Sequence, residues 1–238
     1  MVSHNKKILT YLALFVLISV FIITLKARST PENENLVRED IETQLMGINT
    51  DDIIIGDINN PIKIFEYSDP DCPYCKDLWA HHRDLESEFP NKIIFIYRFY
   101  PLSYLHPTAL QSSYSFYCVN KLTTNEKFIN YVDEYYRLYT NEYTSTHLDT
   151  ETLYKKHLSI ALSVGVKKTD FDECLRAPET NFKIKNDIVR GELKELTKTP
   201  SVIIQLPDGK EVTLSGATYR RIERMLLSIL DYLPKTAP

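Results

Sequence analysis

The stretch Glu66–Cys75 reads EYSDPDCPYC and contains a Cys-x-x-Cys motif around which the rest of the chain is organised. Residues 62–67, where it begins, are rich in β-branched and aromatic side chains and are typical of a buried strand. Beyond it, apolar residues between 78 and 89 recur at helical spacing, and Pro90 ends the pattern. The sequence therefore predicts a strand followed by one helix, with Asp71 as its cap and two cysteines in its first turn.

Cys72 and Cys75 are three residues apart, so on a helix they share a face and their sulfurs can approach disulfide distance. The backbone N–H groups and the dipole at a helix start favour a thiolate, so we expect Cys72 to be exposed and acidic. Cys75, one turn further in, is expected to be buried. If one sulfur attacks and the other resolves, the pair performs thiol–disulfide exchange. A structural disulfide is one alternative. Half of a zinc site is another, although the sequence contains neither a second Cys-x-x-Cys nor a His-x3-His.

These residues resemble the DsbA-like thioredoxin-fold disulfide oxidoreductases. Cys-Pro-Tyr-Cys alone is also a glutaredoxin motif, so the flanking residues carry the resemblance. It covers roughly residues 53–233 and rests on Gly56–Ile62, Glu66–Cys75, Tyr100–Leu102, His106-Pro107 and Thr199-Pro200. It implies a thioredoxin-like α/β fold interrupted by a helical subdomain.

The resemblance also implies roles for residues outside the two cysteines. Pro200 matches a cis-proline beside the reactive sulfurs, where the backbone of Thr199 would pair with an extended substrate. Lys198 stands where the family usually has glycine; it points either to Cys72 or to solvent. Glu66 aligns with a buried acid that relays a proton to the cysteines, unless it faces water at a sheet edge.

Cys118 and Cys174 remain once Cys72 is paired with Cys75. Many DsbA-like relatives carry a disulfide in the helical insert, so the resemblance implies that this second pair is a structural clamp rather than a second redox centre. His106 resembles a recurring family position, and a helix-start residue is the alternative interpretation.

The 238 residues are enough for one sizeable domain with appendages, and a net charge of −4 gives no case for nucleic-acid binding. Ile8–Leu25 lacks charged residues and is about long enough to span a bilayer. We therefore predict a membrane anchor at residues 1–28, a polar tether at 29–50 and the domain at 51–238; a cleaved signal peptide is the alternative. Disulfide chemistry places that domain on the extracytoplasmic side.

Further elements follow from the same patterns. A strand at about residues 92–100 predicts a parallel, right-handed crossover from the strand at 62–67. From about residue 106 to 177 only helical patterns occur, and they define the predicted insert. A hairpin over 201–214 and a helix over 218–233 close the domain. These patterns predict an α/β domain with a helical insert and an N-terminal transmembrane helix, and the resemblance implies that the domain is thioredoxin-like.

Together with the predicted anchor, the resemblance implies an oxidase that is held at the membrane and accepts electrons from thiols of exported proteins through a mixed disulfide at Cys72. An integral membrane, DsbB-like oxidase would restore the Cys72–Cys75 disulfide. The same site would serve a reductase or an isomerase, but isomerases of this group dimerise through an added domain, and residues 29–50 leave no room for one. We expect a monomer without cofactor or metal. A Cu(I)-delivery module and a pure peptide-binding module are alternatives of other classes.

Overall fold

The computed structural model describes residues 47–138 and 149–232, together with Ile18. The chain divides into two units, residues 1–47 and 48–238, and the elements below belong to the second. The predicted anchor, Ile8–Leu25, lies outside the described residues except for Ile18, and so does most of the predicted tether. Among the residues described, no helix combines the length and the apolar character needed to cross a bilayer.

A five-stranded sheet, in the order β1-β3-β2-β4-β5, forms the centre of the domain. Its strands are β1 (Ile53–Ile55), β2 (Ile62–Ser68), β3 (Ile93–Phe99), β4 (Ser201–Gln205) and β5 (Glu211–Ser215). The predicted parallel pairing of the two long strands is confirmed, with register from Ile62 opposite Ile93 to Ser68 opposite Phe99. The other neighbouring strands are antiparallel.

The helices fall into three groups along the chain. Among the described residues, two short helices follow β2, four form the insert after β3, one precedes β4 and one follows β5. In chain order they are α1 (Pro73–Trp79), α2 (His82–Glu88), α3 (Ala109–Leu122), α4 (Asn125–Leu138), α5 (Thr150–Ser163), α6 (Lys168–Arg176), α7 (Pro178–Leu193) and α8 (Tyr219–Tyr232). The predicted helical subdomain inside an α/β domain is confirmed.

Strands β2 and β3 are buried on both faces, as the nearly continuous apolar runs in their sequences indicate. Successive side chains of β3 alternate between two apolar clusters. Phe95 and Tyr97 join the larger cluster, with α1, α2, α8 and the insert. Ile94 and Ile96 join the smaller one on the opposite face, with Tyr67. Because β2 is buried on both faces, the position of its end is fixed, and so is the start of the cysteine motif that follows it.

The single helix expected after the cysteines is wrong, because α1 and α2 are separated at Ala80 and His81. The break has a tertiary cause. Trp79, which ends α1, donates its indole N–H to Asp133 in the insert over 2.8 Å, while His82, which begins α2, turns inward to a buried carboxylate. An unbroken helix over residues 78–89 would have matched the apolar spacing equally well.

A network of buried charges ties α7 to the sheet. Lys183 Nζ lies 2.8 Å from a carboxylate oxygen of both Asp52 and Asp187, Arg98 contacts Asp52 at 2.9 Å, and Arg190 contacts Asp187 at 3.0 Å. Burial alone raises the pKa of Asp52, but Lys183 and Arg98 outweigh burial and hold that pKa at about 2. The carboxylate is therefore charged at neutral pH and joins three separate segments of chain.

Candidate active site

The two motif cysteines lie at the start of α1, after the loop that follows β2. Cys72 occupies the N-cap position and Pro73 follows it in the first turn, where no backbone donor is needed. Both are unpaired thiols, and Cys75 is fully buried, with the backbone N–H of Asp69 3.4 Å from its sulfur. Cys72 is also buried, only 3% exposed, so the expected exposure of this residue is wrong. The turn around Thr199 covers it, and the Thr199 carbonyl oxygen lies 3.5 Å from its sulfur, where it accepts the S–H of the thiol form.

The two thiols are strongly differentiated despite their similar burial. A hydrogen bond from the Cys75 thiol, followed by bonds involving Thr199 and the N–H groups of Cys75 and Tyr74, lowers the pKa of Cys72 to about 6 from 9.0, against the effect of burial. Burial, followed by the adjacent Cys72, raises the pKa of Cys75 well above its ordinary value. At neutral pH the pair therefore presents one thiolate and one thiol, which is the division of roles that exchange needs.

The turn before β4 brings the other predicted contact residues to the cysteines. The Thr199–Pro200 peptide bond is cis, and both residues line a cavity of about 510 Å³ together with Cys72. Lys198 lies on the rim of this cavity and its side chain is exposed. The cavity gives an incoming segment access to the buried Cys72 sulfur.

Glu66 is fully buried, so it is not an edge residue facing water. Its Oε2 lies 2.6 Å from His82 Nε2, and the imidazole stacks on Phe95. The other carboxylate oxygen of Glu66 and Nδ1 of His82 have no protein hydrogen-bond partner among the described residues. This pair lies on the side of the sheet that faces α1 and α2.

Asp71 does not cap the helix, contrary to expectation, because Cys72 takes that position. The Asp71 carboxylate instead accepts hydrogen bonds from the hydroxyl of Tyr135 in α4, at 2.6 Å, and from that of Thr108, which precedes α3. Burial raises the pKa of this carboxyl, and the bonds from Thr108 and Tyr135 oppose the rise. The insert thus holds the residue immediately before Cys72.

A second acid near the cysteines was not singled out from the sequence. Asp69 is fully buried; its Oδ2 accepts the backbone N–H of Leu102 at 2.9 Å and lies 2.8 Å from His106 Nδ1, while Oδ1 accepts the N–H of Asp71 at 2.8 Å. His106 shares the cavity with Cys72. The signal in the sequence was the position of Asp69 in the motif loop, two residues before Asp71, with His106 further along the chain.

The remaining pair of predicted cysteines lies away from this site. Cys118 on α3 and Cys174 on α6 form a disulfide with an S–S distance of 2.06 Å inside the insert. The structure therefore brings together Cys72, Cys75, Thr199 and Pro200, and it places the second cysteine pair elsewhere. Within the described ranges, no group of three or more His, Cys, Asp or Glu side chains is arranged to hold a metal ion.

A thiol pair at a helix start, facing a cis-proline turn across a cavity, places this domain among thioredoxin-fold proteins. The chain belongs to the thioredoxin family: the family model described as "Thioredoxin" matches residues 49–222. The predicted kinship with DsbA-like proteins is confirmed at the level of fold.

Solved structures with the same fold include DsbA2 of Pseudomonas aeruginosa, 19% identical with a TM-score of 0.62, covering 79% of this chain and 100% of that one. The thiol-disulfide exchange protein α-DsbA2 of Wolbachia pipientis is 20% identical with a TM-score of 0.62, covering 85% and 100%. A curated relative, Na(+)/H(+) antiporter NhaA 1 of Mycobacterium sp. (strain KMS), is 21% identical over 153 residues, which are 64% of this chain. The match covers only 23% of that antiporter's length, so it carries no inference about ion transport.

Proposed function

We propose that this protein is a thiol–disulfide oxidase that introduces disulfides into exported proteins through Cys72 and Cys75. The observation that carries the proposal is the differentiated thiol pair: an acidic Cys72 at the floor of a cavity and a buried Cys75 three residues on. The cis Thr199–Pro200 turn beside them offers backbone to an extended polypeptide.

The reaction is two successive thiol–disulfide exchanges. A substrate thiolate attacks the Cys72 sulfur, so a substrate–Cys72 bond forms, the Cys72–Cys75 bond breaks, and Cys75 leaves as a thiolate that takes up a proton. A second substrate thiolate attacks the substrate sulfur of this mixed disulfide, and Cys72 leaves as a thiolate. Two electrons have then passed from the substrate to the protein, and an integral membrane oxidase of the DsbB-like kind removes them.

The low pKa of Cys72 supports oxidation as the physiological direction. A thiolate that is stable in the reduced protein makes reduction of the disulfide favourable, and hence makes the disulfide a strong oxidant. Equilibration with glutathione tests the direction. A potential well above that of the glutathione pool supports an oxidase, whereas a lower potential assigns the same site to a reductase.

Variants of the two cysteines test the exchange chemistry itself. In the reverse direction of exchange, Cys72 of the Cys75→Ser variant can still attack a disulfide of an exported protein, but no Cys75 sulfur remains to release that protein. Covalent complexes with exported proteins should therefore accumulate on non-reducing gels and disappear on reduction. Cys72→Ser should form none. Trapping by Cys72→Ser alone would reverse the assigned roles. Failure of the intact protein to reduce insulin in the presence of a thiol would favour a Cu(I) carrier or a peptide-binding module.

Glu66 is proposed to exchange the proton of Cys75 during these steps. Its carboxylate is buried with His82, which also lines a small surface cavity and so offers a route to solvent. Glu66→Gln should slow the first exchange, in which Cys75 leaves and takes up a proton, by about 10²-fold at neutral pH, the scale of a positioned acid–base group. The exposed Glu192 provides a control substitution, Glu192→Gln, and equal rates of the first exchange in both variants would remove Glu66 from the mechanism.

The domain is proposed to act as a monomer on the extracytoplasmic side, held by an N-terminal anchor. The support is the uncharged run Ile8–Leu25, together with a disulfide in the insert, which persists outside the cytosol. The protein should stay in the membrane pellet after carbonate washing and keep its N-terminus. Recovery of a soluble form starting between Ala27 and Pro31 would establish a cleaved signal peptide instead.

A further inference from the structure

Asp69 and His106 form a buried pair at the wall of the Cys72 cavity. The Asp69 carboxylate is held from three sides, by the N–H groups of Asp71 and Leu102 and by the His106 ring. A carboxylate only accepts, so His106 Nδ1 donates to it and the ring orientation is fixed. This hydrogen bond leaves Nε2 as the ring atom that can gain or lose a proton.

The position of the ring determines what that proton can influence. The His106 side chain is 15% exposed, and it lines the same cavity as Cys72 and the Thr199–Pro200 turn. A charge in such a sheltered place acts more strongly on its neighbours than one in bulk water. The residues between the two cysteines, Pro73 and Tyr74, supply no cation of their own.

We propose that the Asp69–His106 pair stabilises the Cys72 thiolate through a protonated His106, and so makes the Cys72–Cys75 disulfide more oxidising. This inference rests on the proposed thiol–disulfide exchange at Cys72. In that exchange Cys72 departs as a thiolate in the second step, and the imidazolium stabilises it as it departs. Asp69 is a positioning residue that orients the ring and favours its charged form.

The surrounding charges are consistent with this assignment. The hydrogen bond to Asp69, and after it the charges of Asp69 and then of Cys72, raise the pKa of His106 above its ordinary value of 6.5 against the effect of burial. Lys198 is exposed to solvent, where water and salt screen its charge. The other titratable groups that face His106 or line its cavity are Asp69, Asp71, Cys72 and Tyr74.

Reciprocity between the two groups gives a test that needs no substitution. If the imidazolium stabilises the thiolate, the thiolate must stabilise the imidazolium to the same extent. In NMR titrations of the full-length protein in detergent, the His106 ring should therefore titrate at higher pH in the reduced than in the oxidised state. The same titration midpoint in both redox states would overturn the proposal.

A pair of matched variants separates charge from packing. His106→Gln keeps a donor toward Asp69 but cannot carry charge, whereas His81→Gln alters a similar but exposed His–Asp pair, in which His81 lies 2.9 Å from Asp84. The first variant should raise the Cys72 pKa, followed by thiolate absorbance, and shift the equilibrium with glutathione about tenfold toward the disulfide, which is about 30 mV. The His81 variant should change neither quantity.

The outcomes distinguish this inference from the proposed function. If the intact protein exchanges with glutathione but His106→Gln retains its Cys72 pKa and potential, His106 is only a structural residue and the inference fails. If the intact protein does not exchange with glutathione at all, the proposed function fails, while the NMR comparison of reduced and oxidised protein still decides whether the two groups are coupled.

Discussion

At the scale of single residues, two cysteines of nearly equal burial are given opposite chemistry by their hydrogen bonds. The Cys72 sulfur accepts hydrogen bonds from the Cys75 thiol and from backbone N–H groups of the first helical turn, while Cys75 is buried in the core. Exposure, which we expected to distinguish the two residues, therefore does not. Placement at the start of a helix, read from the sequence, was sufficient to assign the acidic member.

The lowered pKa of Cys72 predicts the pH dependence of its reactivity. Because only the thiolate attacks, the rate of alkylation of the reduced protein by iodoacetamide should rise with pH and level off above a midpoint near pH 6. Peptide mapping should locate the label on Cys72, with Cys75 unmodified in the folded protein. A midpoint near that of an ordinary thiol would show that the hydrogen bonds do not stabilise the anion.

At the scale of secondary structure elements, α7 approaches the sheet so closely that one position admits no side chain. A Cβ at Gly191 would lie 2.6 Å from the Tyr100 ring and 3.3 Å from that of Tyr67. The Tyr100 ring is held by a hydrogen bond from its hydroxyl to the Leu196 carbonyl, at 2.7 Å. The glycine therefore sets the distance between helix and sheet.

Gly191→Ala should destabilise the protein even though alanine is the better helix former. The gain in helix propensity is about 1 kcal/mol, and overpacking against a fixed ring costs about 1–3 kcal/mol, so a net loss of about 1 kcal/mol is expected. Urea unfolding measures it, with the neighbouring exposed substitution Glu192→Ala as control. If the Gly191→Ala variant were more stable than the control variant, the Tyr100 ring would have to move aside at little cost in free energy.

The disulfide between α3 and α6 predicts a stability effect without a catalytic one. Replacing Cys118 and Cys174 together by alanine removes a cross-link over a sequence separation of 56, for which chain entropy gives an upper value of about 4 kcal/mol. Thermal unfolding should show the loss. Insulin reduction by the folded double variant should match that of the intact protein, because neither cysteine lines the Cys72 cavity. A lower activity of the folded double variant would instead identify a second redox centre.

The elements differ in how far the sequence could predict them. Strands β2 and β3 were found from their β-branched and aromatic runs, since burial on both faces leaves an unmistakable composition. The break between α1 and α2 was missed because His82 turns toward Glu66, a contact that no local pattern encodes. Asp71 was misassigned for the same reason: its partner Tyr135 is 64 residues away.

For the molecule as a whole, the buried network around Asp52 makes the free energy of unfolding depend on pH in the acid range. The folded-state pKa of Asp52 is held at about 2, below its ordinary value of 3.8, so its contribution is complete above about pH 4 and is lost as pH falls toward 2. That contribution amounts to about 2 kcal/mol.

Asp52→Asn should therefore be most harmful at neutral pH. Removing the carboxylate leaves Lys183 and Arg98 without a shared counter-charge, at a cost of about 3–5 kcal/mol. The stability difference from the intact protein should shrink by about 2 kcal/mol between pH 5 and pH 2, measured by urea unfolding across that range. A difference that stays constant with pH would mean that Asp52 is not charged in the folded state.

The contact between Asp71 and Tyr135 has a consequence for protein engineering. Because the insert supplies the hydroxyl that holds the residue before Cys72, the insert is not an interchangeable module. In a chimera whose insert came from another thioredoxin-fold protein, the motif loop would lose the hydrogen bond from Tyr135 to Asp71, even if the two cores packed equally well. Transplanting the aspartate and the tyrosine as a unit, with Thr108, is the minimum that would carry the geometry across.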